Sequence, residues 1–341
     1  MEMTLPVHPV DLEPFRHGDV TAHTEVARSI DAACRDSGFL VLSGHGVPQE
    51  LCDRALNAFG AFFDLPEDEK RRYTVADPQA NRGYSALGQE GLAYSLGADT
   101  PKDLFEAFNC GREDAIGPYY DTHRPFYAPN VWPDRPAELR ATWLEYELAV
   151  RGVADTLLRA MAAALALPDD WFTTRCDHGI LTTRAINYER RSDTPTPVDG
   201  QMRMGAHSDY GVITILLADD VPGLQVYRDD QWHDVTVPPG TFVCNIGDML
   251  ARWTNDRWIS TLHRVVPPPA GNGPARRRSI ARFLDCPPDL VVETIPSCTG
   301  PGNPSRYEPV VAGEWLHQKL LGSRTLAQPD LPSDPRTADA V

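Results

Sequence analysis

Apolar positions recur at helical spacing through the first half of the chain and at strand spacing through much of the second. Residues 26–35 and 48–63 read as helices on that basis. The strongest helical pattern spans 137–167, where Leu144, Leu148, Val153, Leu157, Leu158, Met161 and Leu165 keep roughly one face. Pro168 closes it, since a proline ring has no amide hydrogen and collides with the preceding turn. From 180 to 292 the apolar runs are short, β-branched and bounded by turn formers. Ile213, Thr214, Ile215, Leu216 and Leu217 form one such run, between Gly211 and the pair Asp219 and Asp220; 241–246, 263–266 and 278–284 are others. An extended run beginning near Ala206 places His207 and Asp209 on one face and Ser208 on the other. By the same period, Arg277, Ser279, Ala281 and Phe283 share a face. Residues 83–116 lack a clear period and are expected to wrap the mouth of a site. A helix returns at 313–321, and 327–341 is polar and proline-rich enough for a mobile tail.

Composition narrows the class. At 341 residues the chain can bury a sizeable core, as one large catalytic unit or two ordinary domains. A net charge of −16 argues against nucleic acid and anionic membrane surfaces, and mildly favours neutral or cationic small molecules as partners. No apolar run approaches bilayer-spanning length, and the start of the chain, with Glu2, carries no basic and apolar leader. The seven cysteines are scattered without a Cys-x-x-Cys pair, which fits reduced thiols in a cytoplasmic protein. Lysine is confined to Lys70, Lys102 and Lys319 while arginine is abundant, as a GC-rich bacterial genome would give.

Five residues carry the candidate chemistry. His207 and Asp209 flank Ser208, His263 lies in a later strand, and Arg277 and Ser279 lie in the last one. Two imidazoles and one carboxylate can hold one face of an octahedral Fe(II) and leave the remaining positions open. An arginine fourteen residues past the second histidine, with a serine two further on, suits the distal carboxylate of a 2-oxo acid. A guanidinium fork matches that group in shape and charge. Each fragment alone is weak. His-x-Asp arises by chance, a lone buried histidine is more often a hydrogen-bonded core residue, and Arg276, Arg277 and Arg278 could form a basic strand edge. Order, spacing and strand context together point to oxygen activation at iron.

Further segments fall in the order of a known family. Residues 6–12 resemble its opening strand, and Cys34, Gly38, Phe39, His45, Gly46 and Val47 its CxxxGFFxxxxHGV signature. Arg82-Gly83-Tyr84, Gly88-Gln89-Glu90, Asp103-Leu104-Phe105-Glu106 and Asn130-Val131-Trp132-Pro133 follow. Gly247-Asp248-Met249-Leu250 with Trp253-Thr254-Asn255 matches a GDxLxxWTN turn, and 260–265 an SxxHRV strand. On these motifs nearly the whole chain resembles the iron(II)- and 2-oxoglutarate-dependent dioxygenases of the isopenicillin N synthase-like group. That group includes plant flavonoid and hormone oxygenases and bacterial antibiotic enzymes. The resemblance implies an α+β fold whose core is a double-stranded β-helix (jelly-roll) barrel over 179–300, flanked by helices. An N-terminal α/β segment over 1–120 would pack on it, with helical support over 121–178, a C-terminal helix over 301–326 and the tail beyond.

The resemblance also implies roles. Fe(II) would be held by His207, Asp209 and His263. 2-Oxoglutarate would chelate it through its 1-carboxylate and 2-keto oxygen, with Arg277 and Ser279 on its 5-carboxylate. O2 would take the last position, and ascorbate would sustain activity as a reductant. Asn187 and Tyr188 resemble an NYYP segment that helps hold the co-substrate, with Glu189 and Arg190 in place of the second tyrosine and the proline. Arg82, Tyr84 and Phe105, in the mouth-covering segment, and Phe283, with Trp253, are candidate substrate contacts. His45 matches a structural residue, and His178 and His233 sit in polar loops. Residues 193–204 read as a substrate-side loop. The acidic and polar stretch 189–199 and the net charge suggest a small, polar, cationic metabolite, with antibiotic biosynthesis as the setting. The expected reaction oxidises an unactivated C–H bond, by hydroxylation, desaturation or ring closure, and releases succinate and CO2. A monomer or weak homo-oligomer is expected. Two other readings stay open: an iron oxidase that cyclises its substrate without 2-oxoglutarate, as isopenicillin N synthase does, and a non-catalytic binding barrel.

Overall fold

The computed structural model describes residues 7–77, 80–93, 101–189, 201–267 and 276–325. Most of the expected loop at 193–204 and the tail at 327–341 lie outside them. Two sheets dominate the architecture. The large one runs in the order β1 (His8–Asp11), β2 (Phe39–Ser43), β10 (Phe242–Ile246), β7 (Ile213–Ala218), β12 (Arg276–Leu284), β5 (Leu181–Glu189), β4 (Glu106–Gly111), β3 (Gly83–Ser85). The small one is β6 (Met204–His207), β11 (His263–Val265), β8 (Leu224–Arg228) and β9 (Gln231–Asp234). All pairings are antiparallel except β1 with β2. The sheets are the two layers of a double-stranded β-helix, and the helices pack on the outer face of the large one.

The period of two on β12 shows how the sequence separates those faces. Ile280 is fully buried in the helix-side core, and Arg278 reaches outward to the carbonyl of Leu56 and the side chain of Asn57. Arg282 also points outward, its Nε and Nη2 donating to Glu147 of the long helix at 3.0–3.1 Å. Arg277, Ser279, Ala281 and Phe283 look inward between the sheets, as their shared phase predicts.

The long helix spans Leu139–Ala164 and packs on the helices Val20–Asp36 and Gln49–Phe63. The expected face holds at Val153, Leu157, Leu158, Met161 and Leu165, all buried, and fails only in the first turns. Leu144 and Leu148 are 40% and 71% exposed, while Trp143, Tyr146, Val150, Leu157 and Met161 are buried. The buried stripe also takes in Glu147, which meets Arg282 of β12 in the interface with the sheet, and each buried aliphatic side chain on it contributes about 1.5–3 kcal/mol.

Two further expectations are corrected. The strand expected at 213–217 is β7, in the large sheet, but the extended run near Ala206 stops short of Asp209, since β6 ends at His207 in the small sheet. The chain crosses between the layers at 208–212. Residues 83–116 are likewise not simply a wrapping segment, since they supply β3 and β4 to the large sheet. With β1 and β2, the N-terminal region therefore completes that sheet. No helix among the described residues is long and apolar enough to cross a membrane.

Candidate active site

The crossing at 208–212 brings three side chains together. His207 ends β6, His263 pairs with it from β11, and Asp209 stands in the crossing, its carbonyl accepting from the amide of Asp248 at 2.8 Å. All three are buried, and their candidate ligand atoms lie within 4.8 Å of one another. Asp209 Oδ1 is 3.9 Å from His207 Nε2 and 3.8 Å from His263 Nε2. The Nδ1 atoms donate to backbone carbonyls, His207 to Gly205 at 2.8 Å and His263 to Thr261 at 3.3 Å, so both Nε2 lone pairs are left for a metal. The other carboxylate oxygen of Asp209 accepts from the Thr214 hydroxyl at 2.5 Å and Asn245 Nδ2 at 2.7 Å, which leaves Oδ1 free.

The electrostatics agree. Burial and then the neighbouring His263 lower the His207 pKa to about 4, so its imidazole is neutral. Burial alone would raise the Asp209 pKa, but His263, His207 and the two hydrogen bonds hold it below the usual carboxylate range. Two imidazoles and one carboxylate form a donor set that fits a divalent Fe(II).

Arg277 stands elsewhere in the same cavity, opposite Tyr188 in the register of β12 with β5. It is 2% exposed, and its guanidinium carbon lies 5.3 Å from the centroid of the Tyr188 ring. Nε donates to the carbonyl of Val221 at 3.2 Å and Nη1 to Ser279 Oγ at 3.3 Å. Among the described residues no carboxylate pairs with it within 4.0 Å. A guanidinium this buried, with no carboxylate bonded to it, can receive an anion.

The other predicted residues divide. Neighbouring residues of a strand face opposite ways, so Tyr188 lines the cavity while Asn187 does not. Asn187 donates to Glu106 Oε1 and accepts from Arg276 Nε, both at 2.7 Å, on the helix side. Tyr84 is also outside, donating to Glu106 Oε2 at 2.6 Å, where the buried Lys70 Nζ also reaches at 2.5 Å. Phe105 packs edge-on against Tyr188 at 6.1 Å, behind the wall. Trp253 belongs to the core with Trp171 and Phe172. Phe283 lines the cavity, and so does Arg82. Three Arg82 nitrogens donate to the carbonyls of Asn81, Phe126 and Ala128, so it braces the 126–128 loop. His45 is structural, bonded to Gly240 O and the Val47 amide.

Sequence reasoning missed Thr214 and Asn245, which orient Asp209, and Asp285, one step beyond Phe283 on the inward phase. Asn245 left a signal, a polar residue inside an apolar run. Leu316 and Leu320, from the C-terminal helix Ala312–Thr325, also line the cavity without any local signal. That helix is held over the site by Trp315 Nε1 donating to Tyr210 O and Lys319 Nζ to Asp248 Oδ2, each at 3.1 Å.

A buried His-Asp-His cluster that could hold a metal, inside a double-stranded β-helix and with a buried arginine on a strand of the opposite sheet, points to a non-haem iron oxygenase. Residues 7–135 match the family described as non-haem dioxygenase in morphine synthesis N-terminal, and 179–285 the 2OG-Fe(II) oxygenase superfamily. The chain belongs to the 2OG-Fe(II) oxygenase superfamily. It is 35% identical over 323 residues to the validamycin A dioxygenase of Streptomyces hygroscopicus subsp. limoneus, covering 94% of this chain and 87% of that protein. It is 34% identical over 301 residues to a homoarginine-6-hydroxylase of Oryza sativa subsp. japonica, covering 87% and 89%. A full-length protein of Neurospora crassa, solved in complex with alpha-KG and thymine, matches with a TM-score of 0.82 at 31% identity, over 94% of this chain and 98% of that one. The protein is a dioxygenase that uses Fe(II), 2-oxoglutarate and O2. These relatives do not favour the 2-oxoglutarate-independent cyclase or the non-catalytic barrel.

Proposed function

We propose that His207, Asp209 and His263 hold the Fe(II), and that Arg277 with Ser279 anchors the 5-carboxylate of 2-oxoglutarate. The observation that carries this reading is the buried Arg277, with no carboxylate bonded to it among the described residues, in the same cavity as the three converging ligand atoms. The Tyr188 ring beside the guanidinium holds its plane, and Ser279 Oγ adds a second polar group to the anchor. Asn245 and Thr214 fix the Asp209 carboxylate. When bound, iron with its co-substrates supplies the oxidising chemistry, releasing succinate and CO2. The chain's own residues orient the reacting groups and exclude water.

The substrate is a small polar molecule, hydroxylated at an unactivated C–H bond. Relatives named for validamycin A and homoarginine, and a neighbour solved with thymine, support that scale and polarity. A net charge of −16 argues against nucleic acid as the partner. Seven free, buried cysteines support a reducing, cytoplasmic setting.

The test compares wild type with Asp209→Ala, reading anaerobic Mn(II) binding by calorimetry and succinate formation with Fe(II). Wild type is expected to bind one Mn(II). The variant is expected to keep its circular dichroism spectrum and lose most of both signals. Wild-type turnover in Asp209→Ala with iron still bound would overturn the assignment.

A further inference from the structure

One inward residue of the β12 phase has no part in the chemistry above. Arg277, Ser279, Ala281, Phe283 and Asp285 alternate along one face and all line the cavity. Asp285 follows the strand end at Leu284, roughly 26 Å along the chain from Arg277 at about 3.3 Å per residue. Phe283 pairs with Thr214, whose hydroxyl reaches Asp209, so β12 passes the metal ligands before it arrives at Asp285. The carboxylate is seated on Gly211, two residues past Asp209. A Cβ there would fall 1.9 Å from Asp285 Oδ1, so the glycine leaves the space that the carboxylate fills.

Three carboxylates line this cavity. Asp209 faces the metal position, and Glu90 accepts from Arg184 Nη2 at 2.6 Å. The Asp285 carboxylate has no hydrogen bond or ion pair among the described residues. Nearby cations are committed elsewhere, Arg82 to three carbonyls and Lys319 to Asp248. Phe126, Tyr210, Phe283 and Leu316 line the same cavity. A half-buried carboxylate with no partner gains from meeting a cation, and aromatic faces add to the attraction. Burial, with the nearby Asp209 adding to it, pushes the Asp285 pKa up to about 7, as expected where no counter-charge is present.

We propose that Asp285 is a specificity-determining residue that binds a protonated nitrogen of the substrate, an amine or a guanidine, and so presents a neighbouring C–H bond to the metal. This rests on the ligand assignment above. The substrate then spans the cavity from the metal ligands to Asp285, away from the co-substrate anchored at Arg277.

The test uses the full chain loaded with Fe(II) and 2-oxoglutarate, and reads succinate release. The probes are alkyl amines, alkyl guanidines and aminocyclitols, each beside its neutral amide or hydroxyl counterpart. Cationic members should stimulate turnover and neutral ones should not. Asp285→Asn should raise KM for the cations roughly tenfold or more, the loss of one charge-assisted hydrogen bond. Gly211→Ala, which drives a methyl into the carboxylate's place, should act in the same direction while keeping the charge. Stimulation by neutral members alone, no stimulation by any cation, or an unchanged KM in Asp285→Asn overturns the proposal. The wild-type panel decides even if a variant fails to fold. Mn(II) binding by His207→Ala reads the ligand assignment separately: affinity equal to wild type defeats that assignment. Normal wild-type Mn(II) binding without a cation response defeats only the role of Asp285.

Discussion

Replacing Arg277 with leucine removes the buried positive charge while roughly keeping apolar bulk. In the proposed site, the 5-carboxylate of 2-oxoglutarate then loses a charge-assisted partner worth about 1.5–3 kcal/mol. At about 1.4 kcal/mol per tenfold, KM for 2-oxoglutarate should rise roughly 10- to 150-fold. The Val221 carbonyl and the Ser279 hydroxyl also lose their donor, so some stability goes with it, and total activity is a poor readout. Initial rates of succinate formation across a 2-oxoglutarate series separate KM from kcat. Arg278→Leu is the control, since that side chain reaches outward to Leu56 and Asn57 and should leave KM unchanged. Arg277→Lys keeps the charge but not the fork, and should fall between. A wild-type KM in Arg277→Leu, or the rise appearing in Arg278→Leu instead, refutes the reasoning.

Asn245→Ala removes the 2.7 Å bond that holds Asp209 Oδ2, and Mn(II) affinity should drop about 10- to 100-fold by calorimetric titration; unchanged affinity counts against the orienting role. Asp103, which accepts from the amides of Leu92 and Gly205 at 2.9 Å, has its pKa pushed up to about 7 by burial. The folded chain therefore binds this proton more tightly than the unfolded one, whose aspartates titrate near about 3.9. The contribution favours folding at acid pH and is lost as pH rises through about 7. Asp103→Asn should flatten the slope of stability against pH between those values, by at most about 1.4 kcal/mol per pH unit, in urea melts. An unchanged slope contradicts the burial argument.

What the sequence conveyed was strongest where a period holds within one strand. Arg277, Ser279, Ala281 and Phe283 were legible as one face because β12 is continuous. His207, Asp209 and His263 were legible by residue type and order, though not by geometry, because apolar alternation does not say which sheet a strand joins. In the crossing at 208–212, Gly211 marked where the second strand begins, but no residue showed that the two strands join different sheets. β4 escaped notice because Glu106 and Asn109 interrupt its apolar run, and Glu106 is nonetheless buried against Lys70, Tyr84 and Asn187. Asn187 was misplaced because family likeness identifies a segment and the pleat decides which of two neighbours faces in. Leu144 and Leu148 misled because large apolar residues are common on surfaces.

The helix Ala312–Thr325 brings to the cavity a wall that is separate from the strands bearing the candidate ligands. Leu316 and Leu320 reach the site from a segment outside both sheets, fastened through Trp315 to a backbone carbonyl and through Lys319 to Asp248. Substitutions on its inner face can reshape the space offered to a substrate while the strands bearing His207, His263 and Arg277 stay as they are. Lineages sharing this barrel can therefore diverge in diet by drift in a late-sequence helix, with no interval in which the oxidant is lost. Grafting 312–325 from a relative with a different substrate is the laboratory version of that history.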